Sequence, residues 1–318
     1  MTSTSLSNQD KQTTSWMDTP PRGPLLRHLN ALLISRMPWL DNVSTPVQSW
    51  SNKLFGQPGS LNYKLKDFLA GVWLGHPVHP LLVTIPLGAW TASLVLDFAS
   101  LGEDEDGGVA RSADMMMWLG LAGAVGSAAT GITNWVDTDG QERRGGMLHA
   151  LLNGSVTLIN LTSAILRLTG QRRTAITLAA TAYAITTYSA YIGGELSYSN
   201  GIGINHVAWE GGSDDYTAVM DEQDLMPGKL TRVDAAGIPA VIVKDGATIY
   251  AIAATCSHLA GPLDEGTYKD GVVYCPWHNS GFRMSDGCVV NSPAVYAQPT
   301  FAVRTRNGKI ELRRLEHA

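Results

Sequence analysis

The sequence predicts a multi-domain protein in which an all-α four-helix transmembrane bundle is followed by a small all-β domain. Two observations predict this fold class. Four windows of the chain lack Asp, Glu, Lys and Arg altogether, and the last third of the chain consists of short β-rich runs separated by turn signals. The mean hydropathy of the whole chain, −0.01, hides this division. Apolar residues and charges are therefore segregated along the 318 residues rather than mixed.

Each charge-free window reaches the length of a membrane span. The windows cover residues 68–96, 115–136, 145–166 and 174–194. A helix that rises about 1.5 Å per residue needs roughly 20 residues to cross a hydrocarbon core about 30 Å thick. Pro77 and Pro80 disfavour helix before them, so we expect the first span to begin near residue 78 and to end near Asp97. A soluble bundle is the alternative, but it would need charged outer faces, and no window has one.

The predicted organisation has four parts. Residues 1–66 form a polar tail and an amphipathic helical segment, residues 67–205 the four-helix transmembrane domain, residues 206–216 a linker, and residues 217–318 the β-domain. Residues 1–23 are polar, lack an apolar signal core and are expected to be disordered. The next segment carries one apolar face, formed by Leu26, Leu29, Leu33 and Met37. This face suits either a membrane surface or packing on the rest of the protein.

The β-domain is predicted from its turns. The run "AVIVKDGATIYAIAAT" contains two β-rich segments separated by Lys-Asp-Gly, which indicates a hairpin. The final run, "FAVRTRNGKIELRR", contains an Asn-Gly turn of the same kind. Residues from about 217 to the C-terminus are therefore expected to form short antiparallel strands.

Two cysteines and two histidines in this domain have the spacing of metal ligands. Cys256-x-His258 is followed, after sixteen residues, by Cys275-x-x-His278. Two thiolates and two imidazoles suffice for a tetrahedral zinc ion or for an iron-sulfur cluster held by two cysteines and two histidines. The spacing alone leaves both metals open.

The two loops, "CSHLAGPL" and "CPWHNSGF", resemble those of the Rieske family, which read Cys-x-His-x-Gly-x-x-Leu and Cys-Pro-x-His-x-x-x-Phe. The leucine is Leu263, while the glycine, Gly261, stands one place late. The resemblance covers about a third of the chain. It implies a 2Fe-2S cluster with Cys256 and Cys275 on the inner iron and with His258 and His278 on the outer iron, near the surface.

The resemblance also implies a subtype. Rieske proteins of quinol-oxidising complexes carry an extra cysteine in each loop, and this chain does not, so it is closer to ferredoxin-type or oxygenase-type domains. An oxygenase needs a second iron site, for which the forty residues after His278 leave no room. Ser280 matches a serine that donates a hydrogen bond to a cluster sulfur in high-potential members, whereas Phe282 replaces a tyrosine donor. We therefore expect a midpoint between the ends of the Rieske range of about −150 to +300 mV. Cys288 lies outside both loops and is expected to be a buried packing residue.

The membrane domain carries a candidate second site. "GHPVHP" resembles the signature Gly-His-Pro-x-His-Pro of a bacterial family of four-helix membrane domains of uncharacterised function, over residues 70–206. Four spans place four histidines on one membrane face, the face that also receives the β-domain; they are His76, His79, His149 and His206. Ionisable groups at membrane depth are costly and often functional, so haem, a metal or a quinone is a candidate ligand. The alternative is that these histidines cap helix ends or lie among headgroups.

The sequence thus predicts a membrane-tethered Rieske protein that carries single electrons and has no substrate site of its own. A redox sensor acting through the membrane domain and a quinone- or haem-linked oxidoreductase subunit are the alternatives. The expected partners are the lipid bilayer and a redox partner protein or quinone, while the net charge of −5 argues against nucleic acid. Loop charges slightly favour a bacterial inner-membrane location with both termini and the Rieske domain in the cytoplasm.

Overall fold

The computed structural model describes residues 25–101, 107–210 and 212–315, with the backbone alone at His28. The polar tail predicted for residues 1–23 lies outside these ranges. Within them, seven α-helices lie between residues 25 and 194, and ten β-strands lie between residues 217 and 314. The predicted fold class, a helical bundle followed by an all-β domain, is confirmed.

Three helices precede the first predicted span, although the sequence predicts only one. They are α1 (Leu25–Ser35), α2 (Leu40–Phe55) and α3 (Leu61–Ala70). The leucine face of α1 remains exposed, while Asn30 on its other side is buried and accepts a hydrogen bond from the Tyr188 hydroxyl at 3.1 Å. On α2, Asp41 accepts hydrogen bonds from Arg143 and Arg144. These contacts fasten the N-terminal helices to the bundle.

Four long helices occupy the four charge-free windows. They are α4 (Val78–Ala99), α5 (Gly108–Trp135), α6 (Gly140–Leu168) and α7 (Arg172–Gly194). By length and composition, α4, α5 and α6 are able to cross a membrane. Helix α7 has 23 residues, but several threonines lie among its apolar residues, and it contains no span-length segment as apolar as those of the other three. The bundle therefore has three helices able to span a membrane and a fourth that is less apolar over a span length.

The bundle consists of two helical hairpins, α4–α5 and α6–α7, that repeat one another. The matching positions are His79 and His149, Ser93 and Ser163, Ala113 and Ala175, Ser127 and Ser189, and Gly131 and Gly193. The contacts repeat as well as the residues: the Ser93 hydroxyl donates to the Ala113 carbonyl at 2.8 Å. In the second hairpin, the Ser163 hydroxyl donates to the Ala175 carbonyl at the same distance. The two hairpins are thus parallel structural repeats, an arrangement known from other membrane proteins.

A buried charge cluster closes the end of the bundle where α4 ends and α5 begins. Asp97, which is fully buried, pairs with Arg167 and also accepts from Arg172 at 2.8 Å. Arg167 donates in addition to Asp114 at 2.9 Å. Because each of these charges has a partner of opposite sign, the cost of burying them is largely offset.

The β-domain contains three antiparallel sheets. The first has the order β1 (Thr217–Asp221), β10 (Lys309–Arg314), β9 (Phe301–Arg306). The second contains β2 (Thr231–Ala235), β3 (Ile238–Asp245) and β4 (Thr248–Ala253), and the third β5 (Thr267–Lys269), β6 (Val272–Tyr274), β7 (Gly281–Arg283) and β8 (Val289–Asn291). Both predicted hairpin turns are present, with positive φ at Gly246, Asn307 and Gly308.

The β-domain packs against the other end of the bundle, where α4 begins and α5 ends. Ser292 donates its backbone N–H to Asp67 on α3 at 2.8 Å and accepts from the Tyr63 hydroxyl at 2.9 Å. A second contact joins the β-domain to the segment after α7: the backbone N–H of His206 donates to the Ser257 carbonyl at 3.1 Å. The residues that precede and follow the bundle thus hold the β-domain in one position.

Candidate metal centre

Two loops of equivalent backbone structure carry the four predicted ligands. The first loop, residues 256–261, follows β4, and the second loop, residues 275–280, joins β6 to β7. In each loop the cysteine carbonyl accepts from the N–H four residues later, and the cysteine N–H donates to the carbonyl five residues later. In the first loop, the Ala260 N–H donates to the Cys256 carbonyl at 2.9 Å, and the Cys256 N–H donates to the Gly261 carbonyl at 2.8 Å. In the second loop, the Asn279 N–H donates to the Cys275 carbonyl at 3.0 Å, and the Cys275 N–H donates to the Ser280 carbonyl at 2.9 Å. The sequence therefore builds the same ligand-bearing turn twice.

Each turn places its fourth residue after the cysteine in the left-handed region, with φ of 60° at Ala260 and 61° at Asn279. Asparagine tolerates this conformation, whereas alanine adopts it at a cost of roughly 1–2 kcal/mol. The Rieske pattern has glycine at this first-loop position. Gly261 beside it has a separate role, because a Cβ there would lie 2.8 Å from Cys275 Sγ and 3.1 Å from the Trp277 ring.

The two thiols form one pair. Cys256 and Cys275 are both buried and belong to the same apolar core. The Cys256 thiol, as a neighbouring hydrogen-bond donor, lowers the pKa of Cys275 to about 6. The same contact, together with burial, raises the pKa of Cys256. The pair therefore loses its first proton readily, which suits thiolate ligation of a metal.

The two imidazoles form the other pair. The rings of His258 and His278 pack edge to face, with centroids 5.1 Å apart and an interplanar angle of 86°. Burial, followed by the neighbouring His278, lowers the pKa of His258 to about 3. His258 is therefore neutral at pH 7, the form in which an imidazole ligates a metal. Its Nδ1 atom is buried and has no hydrogen-bond partner among the described residues.

The two histidines face different surroundings. His258 lies at a cavity of about 20 Å³ between the β-domain and the end of the bundle, lined on the bundle side by Pro77, Thr133, Asn134, Gly203 and Ile204. A cavity of this size holds about one water molecule. His278 follows Trp277, whose side chain is 56% exposed. His258 thus lies beside the bundle, while the residue next to His278 is exposed to solvent.

Ser280 lies beneath the second loop and is fully buried. Its Oγ accepts the backbone N–H of Ala294 at 3.0 Å, so its own hydrogen remains free to donate elsewhere. Phe282, also fully buried, belongs to the apolar core that includes Cys256 and Cys275. Cys288 is exposed, so its predicted burial is wrong: Asp286 accepts its N–H and holds it in a turn before β8 begins.

The four membrane-domain histidines lie in two groups. His76 and His206 lie near the β-domain: the His76 ring is 6.3 Å from that of Tyr296, and His206 Nε2 is 2.9 Å from the Gly201 carbonyl. His79 and His149 lie inside the hairpins, each with Nδ1 2.9 Å from a backbone carbonyl of the partner helix. His79 and His149 occupy matching positions of the two hairpins, and His76 and His206 do not. This repeat is visible in the sequence and could have separated the two groups.

Comparison with known proteins assigns both parts of the chain. The model of the Rieske [2Fe-2S] domain matches residues 215–302, and the model of the family described as predicted membrane protein (DUF2231) matches residues 75–206. Both resemblances seen in the sequence are therefore confirmed. The cofactor of the β-domain is a Rieske-type 2Fe-2S cluster.

The similar proteins match the β-domain. Ferredoxin CarAc of Metapseudomonas resinovorans is 32% identical over 88 residues, which are 27% of this chain and 82% of that ferredoxin. Apoptosis-inducing factor 3 of Homo sapiens is 30% identical over 101 residues, 32% of this chain but 17% of that protein. The ferredoxin of carbazole 1,9a-dioxygenase from Nocardioides aromaticivorans IC177 is 28% identical, with a TM-score of 0.30 over 31% of this chain and 96% of its own. Through its C-terminal domain, the chain belongs to the Rieske [2Fe-2S] family of electron-transfer proteins.

Proposed function

We propose that this protein is a membrane-tethered Rieske electron carrier, in which Cys256 and Cys275 bind the inner iron and His258 and His278 the outer iron. The observation that carries the proposal is the pair of equivalent loops, one presenting each cysteine and histidine. When bound, a 2Fe-2S cluster supplies a one-electron redox couple. The domain boundaries that fit this function are 67–205 for the membrane tether, 206–216 for the linker and 217–318 for the carrier domain.

The residues present fit such a cluster. Three features suit such a cluster: two neighbouring buried thiols, a buried His258 Nδ1 that has no partner among the described residues, and a glycine that leaves room beside Cys275 Sγ. An unpartnered buried nitrogen is costly, and ligation by a metal removes that cost. Ser280 can supply a hydroxyl hydrogen to a cluster sulfur.

The arrangement favours a two-iron cluster over a single zinc ion. A structural zinc site brings four ligands to one point. In the ranges that the structure describes, no three His, Cys, Asp or Glu side chains converge in this way. The four residues instead form a thiol pair and an imidazole pair, as expected if each pair holds a different iron.

The two histidines have different neighbours, which supports electron transfer between the cluster and two different partners. On the side of His278, the exposed Trp277 gives a redox partner protein an aromatic contact beside the cluster. On the side of His258, this residue and residues of the bundle line the same small cavity. This proximity favours the alternative in which the protein is a subunit of a quinone- or haem-linked membrane oxidoreductase.

Electron paramagnetic resonance of the purified full-length protein tests the ligand assignment. We expect the reduced protein to show the low-g signature of a Rieske cluster, and the Cys256→Ser, His258→Ala, Cys275→Ser and His278→Ala variants to lose it. The matched control is Cys288→Ser, which changes an exposed cysteine outside both loops and should keep the full signal. Retention of the signal in any of the four ligand variants would contradict the assignment.

We further propose a bacterial inner-membrane location with the Rieske domain in the cytoplasm. The flanking segments on the face of the bundle that carries this domain have five basic residues, against four on the opposite face, which is a weak positive-inside bias. The five are Lys53, Lys64, Lys66, Arg143 and Arg144, and the four are Arg111, Arg167, Arg172 and Arg173. A C-terminal reporter that is active only in the periplasm tests the orientation. Activity of that reporter would reverse the assignment.

A further inference from the structure

The two hairpins of the bundle place a second pair of imidazoles in equivalent positions. His79 in the first turn of α4 corresponds to His149 in α6. We propose that His79 and His149 bind one transition-metal centre between them, each through its Nε2 atom. This site is separate from the Rieske ligands and is not required by the proposed function.

The hydrogen bonds of the two rings define which nitrogen is free. His79 Nδ1 lies 2.9 Å from the Ser127 carbonyl, and His149 Nδ1 lies 2.9 Å from the Ser189 carbonyl. A carbonyl oxygen only accepts, so Nδ1 carries the hydrogen and Nε2 carries the lone pair. Histidines that ligate metals commonly have this arrangement, because the second hydrogen bond fixes the tautomer and the ring orientation.

The contact of His149 Nε2 agrees with this tautomer. The Asn153 side-chain amide donates to it at 3.1 Å, as expected for a nitrogen that bears a lone pair. The same amide also donates to the His149 carbonyl at 3.0 Å. Asn153 therefore keeps a hydrogen bond when a metal takes its place on the imidazole.

The positions of the buried ion pair indicate that the two rings face each other. Asp97 and Arg167 occupy equivalent positions on α4 and α6 and meet inside the bundle. Each histidine precedes its charged residue by eighteen residues, which is five turns of an α-helix. The histidines therefore lie on the same inward faces as Asp97 and Arg167, at the opposite end of the bundle.

Glycines make room for both rings. A Cβ at Gly131 would lie 2.9 Å from His79 Cε1, and a Cβ at the equivalent Gly193 would lie 3.1 Å from His149 Cε1. Elsewhere the hairpins differ in chemistry, for example Trp90 against Asn160. An imidazole, its carbonyl acceptor and its glycine are thus retained together in both halves. Both rings are half-buried, and ionisable groups within membrane helices are often functional.

Two sources of metal share this chemistry: the iron of a haem, which takes two axial imidazoles, and a free divalent ion. The test uses full-length protein with its Rieske cluster intact, in detergent, titrated separately with haemin and with Co²⁺ and followed by optical spectroscopy. We expect one equivalent of one of these probes to bind. His79→Ala and His149→Ala should each weaken this binding about tenfold or more.

The matched control is His76→Ala. His76 lies three residues before His79, but the equivalent position in the second hairpin is Gly146, so it has no counterpart. This variant should bind the probe as the wild type does. An unchanged Rieske signal in every variant shows that the β-domain is folded, and an unchanged helical circular-dichroism signal shows that the bundle is folded. Absence of stoichiometric binding of both probes, or binding that is equal in wild type and in His79→Ala, overturns the proposal.

Gly131→Ala provides a variant that keeps every histidine of the chain. The added methyl group displaces the His79 ring, and we expect a several-fold loss of affinity for the probe. Gly154→Ala is its control, since a Cβ at Gly154 meets nothing within 4 Å. Equal affinity of these two variants would show that the His79 ring does not hold the metal from this position, and would overturn the proposal.

Discussion

Asp67 on helix α3 accepts the backbone N–H of Ser292, 225 residues further along the chain, at 2.8 Å. A hydrogen bond to a charged acceptor contributes about 1.5–3 kcal/mol. Ser292 lies two residues before Ala294. The backbone N–H of Ala294 donates to the hydroxyl oxygen of Ser280, which lies beneath the second loop. Helix α3 is thus connected to the second loop through two hydrogen bonds and the short backbone segment between them.

Asp67→Ala should loosen this contact between the bundle and the β-domain. Because the Ser292 N–H loses its acceptor, we expect its amide hydrogen exchange to accelerate about tenfold or more. Hydrogen-exchange mass spectrometry of the peptide spanning residues 289–297 measures the change. Lys64→Ala, on an exposed position of the same helix, is the control, and an equal rate in both variants would argue against the contact.

Ser280→Ala should lower the midpoint potential of the cluster, and Phe282→Tyr should raise it. A hydroxyl that donates to a cluster sulfur stabilises the reduced, more negative state, and a bond of about 1.4 kcal/mol corresponds to about 60 mV for one electron. Potentiometric titration of each variant measures the shift. No change in Ser280→Ala would mean that its hydroxyl hydrogen points away from the cluster.

Ala260→Gly should stabilise the first loop. Glycine adopts the φ of 60° at this position without the steric cost that alanine bears, so a gain of about 1 kcal/mol is expected. Thermal bleaching of the cluster absorption measures the effect, with a shift to higher temperature.

Gly261→Ala, one residue further on, provides the contrasting variant. Its methyl group would meet Cys275 Sγ at 2.8 Å, so we expect loss or weakening of the cluster. If both substitutions moved the bleaching temperature in the same direction, the loop conformation described here would be wrong.

Asp97→Asn should destabilise the bundle by about 3–5 kcal/mol, because Arg167 and Arg172 would keep buried positive charge with less compensation. A lowered temperature of aggregation in detergent measures this effect. Replacing Asp97 and Arg167 together by leucine should be milder, since no unpaired charge remains. Greater damage in the double variant would contradict the pairing.

The four bundle helices could be predicted because charge is absent from their windows, and α4 begins at residue 78, where its prolines predict, but the start of α5 could not be predicted. Helix α5 begins at Gly108, seven residues before its window, since Arg111 and Asp114 extend the helix as charged residues. Asp114 does so by pairing with Arg167 and Arg172, whose positions in space the sequence does not reveal. The packing of the β-domain on the helices could not be predicted either. The Tyr63 hydroxyl donates to a backbone carbonyl, and such a contact leaves no pattern in the types of side chain.

The four cluster residues could be proposed from their spacing together with a family resemblance, whereas their surroundings could not. The burial of His258 against the bundle depends on Pro77 and Asn134, which are far apart in the chain. Conversely, the relation between His79 and His149 was present in the sequence as a repeat. It becomes recognisable when the matching hydrogen bonds to Ser127 and Ser189 are compared.

The opposite charges at Asp97 and Arg167 determine which hairpins are able to assemble. Two copies of α4–α5 would oppose aspartate with aspartate, and two copies of α6–α7 would oppose arginine with arginine, so either homodimer would bury like charges. Only the mixed pair is neutral at this position. If the halves were expressed as separate polypeptides, each would select the other, and the connection between them would be dispensable for recognition.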